Sequence, residues 1–350
     1  MQKDYNRKII YLRYHLGHQG DNKSRKMSMA EITSESIVWI FDVFGQDWLC
    51  SMLRNQTPAY IINEDFNAVE PSNYHVYCTP LWLAENTRLI VKNLPQYQDY
   101  KTQHIFNFMI NKKQINRFLC MKLVEMFELS NYDYTWSGVD SKFDMTNILN
   151  ELAHLGKDSP LSAEQQSLLL AEVKIPQKFF HNIGITDNSY IRYPDNSWTW
   201  NHGLNNIFSG SVVSLITESL SFEKSTVFTE KTAYAILGKT FPLWVGGGVN
   251  QAQRFEEMGF DVFNDVIDHG YQHYDTLIER CYYAFKHNLH MLSDYEYASK
   301  IRESMMDRLE HNQQLLKNKQ VYNFCKQQIS QWPEDLQHDI GSKLKSYFEE

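Results

Sequence analysis

The chain reads as an α/β protein of two domains, and three observations carry that expectation. At 350 residues, 43% of them hydrophobic and 14% aromatic, it is long enough for two medium cores, and domains of ordinary size favour two over one. A short β-branched run at Val212–Ile216 and another at Phe241–Val245 flank a stretch with helical character, which is the order of a parallel strand, crossover helix and strand. A second strand candidate at Ile105–Ile110 leads into helical spacing at Ile115, Leu119, Leu123, Met126 and Phe127.

From the N-terminus, Lys8–Tyr14 reads as a first strand and Gly17–Lys26 as a polar turn. The mostly apolar segment Ser36–Leu53 is expected to be a helix, and Ala59–Ile62 and His75–Cys78 to be short strands. Turn signals at Asp158-Ser159-Pro160 and Tyr193-Pro194-Asp195-Asn196 break up residues 140–205, where the crossing between domains is expected. Between the two later strands, Thr229 is positioned to cap a helix whose first turn holds Glu230 and Lys231 and whose apolar face is Ala233, Ile236 and Leu237. Gly246-Gly247-Gly248 ends the second strand. Beyond Tyr274 the pattern is mostly helical, with Leu277, Cys281, Phe285 and Leu289 on one face. The expected division is 1–170, 171–310 and a helical tail over 311–350.

Composition removes several classes. Fifteen glycines and nine prolines argue against a fibrous or disordered chain. Five scattered cysteines without a Cys-x-x-Cys pair suggest buried thiols in a reducing compartment and no structural zinc. His269–His273 and His287–His290 have metal-like spacings but lack the glutamate of a zinc-protease helix, so no metal is assigned. No apolar run approaches the ~20 residues of a membrane helix, so no membrane partner is expected and the cytoplasm is the expected location. The formal charge of −8 lies wholly in residues 151–350, whereas residues 1–150 are balanced and carry local basic clusters such as Lys112-Lys113 with Arg117. Such clusters suit either solvated loops or a polyanion. Nucleophile-elbow, phosphate-loop and dinucleotide glycine fingerprints are all missing.

The crossover between the two later strands would place a helix N-terminus and loop ends at one rim of a sheet, where free N–H groups and the helix dipole favour an anion. Lys224 or Lys231 can neutralise a diphosphate there, and Glu230 can accept hydrogen bonds from ribose hydroxyls. The plain alternative is an ordinary crossover with a solvated Glu-Lys pair. Thr217-Glu218-Ser219, Phe228-Thr229-Glu230-Lys231-Thr232, Gly238-Lys239, Pro242, Gly247 and Met258-Gly259-Phe260 resemble the donor-binding half of GT-B-type glycosyltransferases, nearest to fucosyltransferase-like and exostosin-like enzymes and to a set from large phages and giant viruses. Phe106–Arg117, running on to Tyr134-Thr135-Trp136-Ser137, resembles the viral set's strand, basic turn, helix and Trp-Ser ending, with Lys112-Lys113-Gln114 standing where an Arg-rich turn is usual.

The resemblance implies two Rossmann-like domains facing across a cleft, with C-terminal helices that can pack back on the first. It implies a metal-independent transfer from a nucleotide-sugar co-substrate, in keeping with the lack of any Asp-x-Asp pair, and no bound cofactor. Donor residues would be Glu230 on ribose; Lys231, Lys224 and Arg117 on the diphosphate; and Thr229, Glu218 and Gly247 around them. An inverting transfer needs a carboxylate or imidazole base from the first domain, for which Asp21, His18 and Glu35 are the candidates. The viral likeness suggests a hydroxymethylated base in double-stranded phage DNA as acceptor, flipped out to reach the donor. A cell-surface glycan transferase and a non-catalytic sugar- or nucleotide-binding module are the alternatives.

Overall fold

The computed structural model describes residues 8–12, 34, 36–40, 58, 60–63, 75–92, 101–110, 114–136, 145–155, 159–176, 178, 204–218 and 226–348. Two compact units divide the chain: one of Met1–Glu85, Ser225–Val227 and Val321–Glu350, the other of Asn86–Lys224 and Phe228–Gln320. Each holds a four-stranded sheet whose pairings are all parallel, so the class is α/β and compatible with two Rossmann-like units.

In the first unit, β1 (Lys8–Leu12), β2 (Ser36–Ile40), β3 (Tyr60–Asn63) and β4 (Val76–Cys78) lie side by side in sequence order. Ile37 and Val38 of β2 and Ile61 and Ile62 of β3 are completely buried, the continuous apolar burial that covered parallel strands require. The helix expected over Ser36–Leu53 is therefore corrected at its start. Ser36-Ile-Val-Trp-Ile pairs with strands on both sides, and a short apolar run read alone does not distinguish a strand from a buried helix. After β4, Thr79-Pro80 leads into α1 (Leu81–Lys92), the proline standing where a helix start tolerates the loss of an N–H donor.

The second unit runs β5 (His104–Ile110), α2 (Ile115–Met126), β6 (Tyr132–Trp136), α3 (Met145–Leu155), α4 (Ala163–Leu170), α5 (Asn205–Ser209), β7 (Ser211–Ile216), α6 (Glu230–Leu237), β8 (Phe241–Trp244) and α7 (Gln251–Glu257). A 3-10 turn at Gly270–His273 precedes α8 (Leu277–His287), α9 (Leu289–Ser293), α10 (Tyr295–Ser304) and α11 (Met306–Lys317). Strand order is β6-β5-β7-β8. Phe106 on β5 stands opposite Tyr132 on β6 and Val213 on β7, and Val213 stands opposite Phe241 on β8. Pro242, which has no N–H for the ladder, sits on the edge strand β8. Leu277, Cys281 and Phe285 of α8 join this core as expected.

Because β5 and β6 share a sheet with β7 and β8, residues 86–170, expected with the first domain, belong to the second unit. The last helices, α12 (Gln320–Ile329) and α13 (Glu334–Phe348), lie from Val321 onward in the first unit. There the Tyr60 hydroxyl donates to the Asp335 carboxylate at 2.8 Å, and the rings of Tyr77 and Trp332 are 5.3 Å apart. Among the described residues no helix is long and apolar enough to cross a membrane.

Candidate functional site

The order β6-β5-β7-β8 contains a reversal. From β5 the chain crosses through α2 to β6 on one side, and from the adjacent β7 it crosses through α6 to β8 on the other. Two neighbouring parallel strands whose crossovers diverge leave a crevice beyond their carboxyl ends, and open α/β sheets bind ligands there. In this chain that crevice lies between the end of β5, leading to the first turn of α2, and the end of β7, leading to the first turn of α6.

The residues there form one connected cluster. Thr229 caps α6 from an extended backbone (φ −116°, ψ −175°), and Glu230 and Lys231 open the helix, as the sequence predicts. Glu218, just past β7, turns its carboxylate toward this cap. It accepts the Thr229 backbone N–H at 3.0 Å, the Thr232 hydroxyl at 2.8 Å, and a hydrogen bond from the Thr229 hydroxyl. Lys231 Nζ lies 3.9 Å from Glu218, 3.3 Å from Glu230 and 3.1 Å from the Thr229 hydroxyl oxygen. Arg117, in the first turn of α2, faces both glutamates electrostatically. Its neighbour Asn116 donates to the Glu218 carbonyl at 3.0 Å while accepting the Arg117 N–H at 2.9 Å, so the two helix starts are tied together.

Depth divides the roles. The Glu218 side chain is 0% exposed, Lys231 7% and Glu230 24%, and Arg117 is 2% exposed as a residue. Glu230 is thus the member that meets solvent, with the two cations beneath it and Glu218 at the bottom. Burial raises the Glu218 carboxyl above its ordinary range, against the opposing pull of Lys231 and the Thr229 hydrogen bonds. At Glu230 burial pushes upward too, but Lys231, hydrogen bonds from its own backbone and from Lys231, and the Arg117 guanidinium outweigh it, leaving the carboxyl below its ordinary value. Burial lowers the Arg117 guanidinium to about 10, with Glu230 and Glu218 pulling it back up. It stays charged at neutral pH.

Further support comes from Trp244 and Tyr271, which sequence reasoning passed over, and from the glycine loop after β8. The Trp244 indole N–H donates to the Thr232 hydroxyl at 3.1 Å, so the end of β8 braces the same network, and Tyr271 donates to the Trp244 carbonyl at 2.7 Å. A tryptophan closing a fully apolar strand is the signal for this, since its N–H needs a buried partner. Gly246 has φ +62°, and a Cβ there would lie 2.5 Å from Cys281 Sγ and 2.9 Å from Asn116 Cβ, so only glycine lets this loop close on α2. Gly247 sits in the same loop with the Gln251 side chain folded over it.

The structure therefore brings together Arg117, Glu218, Thr229, Glu230 and Lys231, with Gly247 in the loop after β8. Lys224 and the proposed bases Asp21, His18 and Glu35 lie outside the described residues, as do Lys112-Lys113. Among the described residues no group of His, Cys, Asp and Glu is arranged to hold a metal ion. Comparison with protein-family models, with curated proteins and with solved structures finds no match to this chain.

Proposed function

We propose that the chain is a nucleotide-sugar-dependent glycosyltransferase of GT-B type that holds its donor in the second unit. The observation that carries this reading is the convergence of Arg117, Glu230 and Lys231 at the reversal point of a parallel sheet, at the first turn of α6. Glu230, outermost and ionised, suits the paired hydroxyls of a ribose. Lys231, Arg117 and the positive end of the eight-residue helix α6 suit a diphosphate.

In such a transfer the acceptor oxygen bonds to the anomeric carbon as the bond from that carbon to the diphosphate oxygen breaks. The departing diphosphate keeps the electron pair, and the acceptor proton goes to a base. Fixed cations beside the leaving group lower the barrier because they oppose charge that grows toward the transition state. Glu218 would not touch the donor. Its three hydrogen bonds hold Thr229 and Thr232, and through them the helix start, so it acts as a positioning residue. A hydroxymethylated DNA base as acceptor, and action in the cytoplasm, rest on the viral resemblance alone.

Nucleoside diphosphates alone are the first test, measured by thermal shift with UDP, GDP and CDP. At least one should raise the midpoint for the wild type, and Lys231→Ala should weaken that effect at least about tenfold, the loss of a charge-assisted contact of ~1.4 kcal/mol or more. Turnover is then read with labelled donors against hydroxymethylcytosine DNA, unmodified DNA and simple glycans. Binding without transfer to any acceptor would leave a nucleotide-binding module, and no response to any diphosphate would remove the reading.

A further inference from the structure

In the crevice between the first turns of α2 and α6 the protein's own charges already cancel. Glu218 and Glu230 supply two carboxylates, Lys231 and Arg117 two cations, and among the described residues Lys231 is the one cation within 4 Å of either glutamate. A sugar nucleotide has both phosphates esterified, so its diphosphate brings full negative charge and no proton of its own to exchange at moderate pH. Set against Lys231 and Arg117, that anion would leave four negative charges facing two positive ones where little water reaches. Like charges a few ångströms apart repel strongly in such surroundings, and one carboxylate is relieved by taking a proton.

Depth and bonding decide which one. Glu230 is 24% exposed and 3.3 Å from Lys231, so water and the ammonium keep it charged. Glu218 is 0% exposed, and its nearest cation, Lys231 at 3.9 Å, is the group an arriving phosphate would share. From α6 it faces Lys231, Glu230 and two threonines, from α2 Arg117, and through Thr232 the neutral indole of Trp244 on β8. Its hydrogen bonds suit either charge state. Oε1 accepts the Thr229 N–H at 3.0 Å and the Thr232 hydroxyl at 2.8 Å, and can do so in a neutral carboxyl. Oε2 meets only the Thr229 hydroxyl among hydrogen-bond partners, and a hydroxyl oxygen can accept as well as donate, so a proton on Oε2 has a ready acceptor. Burial already holds the Glu218 carboxyl above its ordinary range, whereas the Glu230 carboxyl, despite burial, is held below its own by Lys231 and hydrogen bonds.

We propose, resting on the donor reading above, that the site binds a nucleoside diphosphate ester together with one proton from solvent, taken up at Glu218 Oε2 as the diphosphate settles against Lys231 and Arg117. The complex then holds more protons than the free protein, so rising pH opposes binding.

Calorimetry of the full chain with UDP-glucose, GDP-mannose and CDP-glucose, in buffers of unlike protonation enthalpy, counts the protons taken up between about pH 5 and about pH 8.5. For a sugar nucleotide that binds, uptake should approach one proton over part of that range, and affinity should fall there by up to about tenfold per pH unit. Glu218→Gln keeps an acceptor for the Thr229 N–H and the Thr232 hydroxyl but cannot take a proton. Its uptake should vanish, its affinity should stay level with pH, and at about pH 8.5 it should bind about tenfold more tightly than wild type, since a like charge has gone. A merely structural role for Glu218 would weaken binding at every pH instead. Uptake should persist in Glu230→Gln. Binding without proton uptake, uptake that survives in Glu218→Gln, or uptake lost only in Glu230→Gln would overturn the proposal and leave the donor reading standing. Failure of all three sugar nucleotides to bind would remove both.

Discussion

Two carboxylates a few ångströms from the same ammonium are pushed in opposite directions, and the difference is how far attraction and hydrogen bonding offset the burial that raises both. Glu218 is fully enclosed, so desolvation wins and its folded-state value is raised; Glu230 keeps some solvent and gains Arg117, so attraction wins and its value is lowered. The linked stabilities have opposite signs. Glu218's contribution is greatest below the ordinary carboxylate value and declines as pH rises from there toward its raised folded value. Glu230's contribution is present above the ordinary value and disappears as pH falls through its lowered one. Glu218→Gln should therefore gain stability relative to wild type as pH rises from about 4.5 toward 7, whereas Glu230→Gln should lose relative to wild type as pH rises toward about 4.5 from below and then stay level, both read as midpoint against pH in chemical denaturation. Glu218→Ala is a harsher change, because it strands the Thr229 N–H and the Thr232 hydroxyl and leaves Lys231 without its buried counter-ion. A cost of about 3 kcal/mol or more is expected, against a much smaller one for the isosteric glutamine. Equally small losses for the two variants would show that the Glu218 side chain is not what organises the cap.

At the level of elements, what could be read from the chain follows from how local each signal is. Strand, cap and helix at residues 211–237 were legible because β-branched residues, a threonine cap and a first-turn glutamate all act within a few positions. The capping box of α4, Ser162 with Gln165, is equally local, yet it lies in the stretch that turn signals made hard to parse. Strand β2 was misread because its neighbours decide it. Least legible are groups that bind across elements, of which Arg302 on α10 is the clearest. Its guanidinium donates to the Lys239 carbonyl at 3.0 Å and to the carbonyls of Gly238 at 3.3 Å and Ser209 at 3.4 Å, and also to the Thr102 hydroxyl. One cation thus closes the carboxyl ends of α5 and α6, where helix dipoles favour positive charge. Arg302→Met should keep most of the packing but lose those bonds, lowering stability by about 2–3 kcal/mol in urea unfolding, because buried carbonyls are left unpaired. Ser162→Ala, removing only the exposed cap of α4, should cost nearer ~1 kcal/mol. If the two changes cost the same, Arg302 contributes by bulk and not by closing helix ends.

For the molecule as a whole, the class was visible in the sequence but the path was not. Strand pairing partners are a matter of long-range geometry, so nothing near Phe106 announces that β5 lies beside β7 and in the second sheet. That pairing is also what puts Arg117 within reach of Glu230, which the division at residue 170 would have kept in separate domains. The first unit is built from the two ends of the chain: β1–β4 come from its first 85 residues, and from Val321 onward the final helices supply the Tyr60–Asp335 bond and the Tyr77–Trp332 contact. A parallel sheet must be covered, and Ile61, Ile62, Ile37 and Val38 have little protection of their own in so small a unit. Ending the chain at Gln320 should therefore loosen the first sheet and spare the second, whose core draws on β5–β8 and α8. Native-state hydrogen exchange reads this directly: amides of β2 and β3 should exchange much faster in the truncated chain while those of β5 and β7 keep their protection. Exchange rising equally in both sheets would mean that the units unfold as one, and rising in neither would mean that the first sheet is covered without its C-terminal helices.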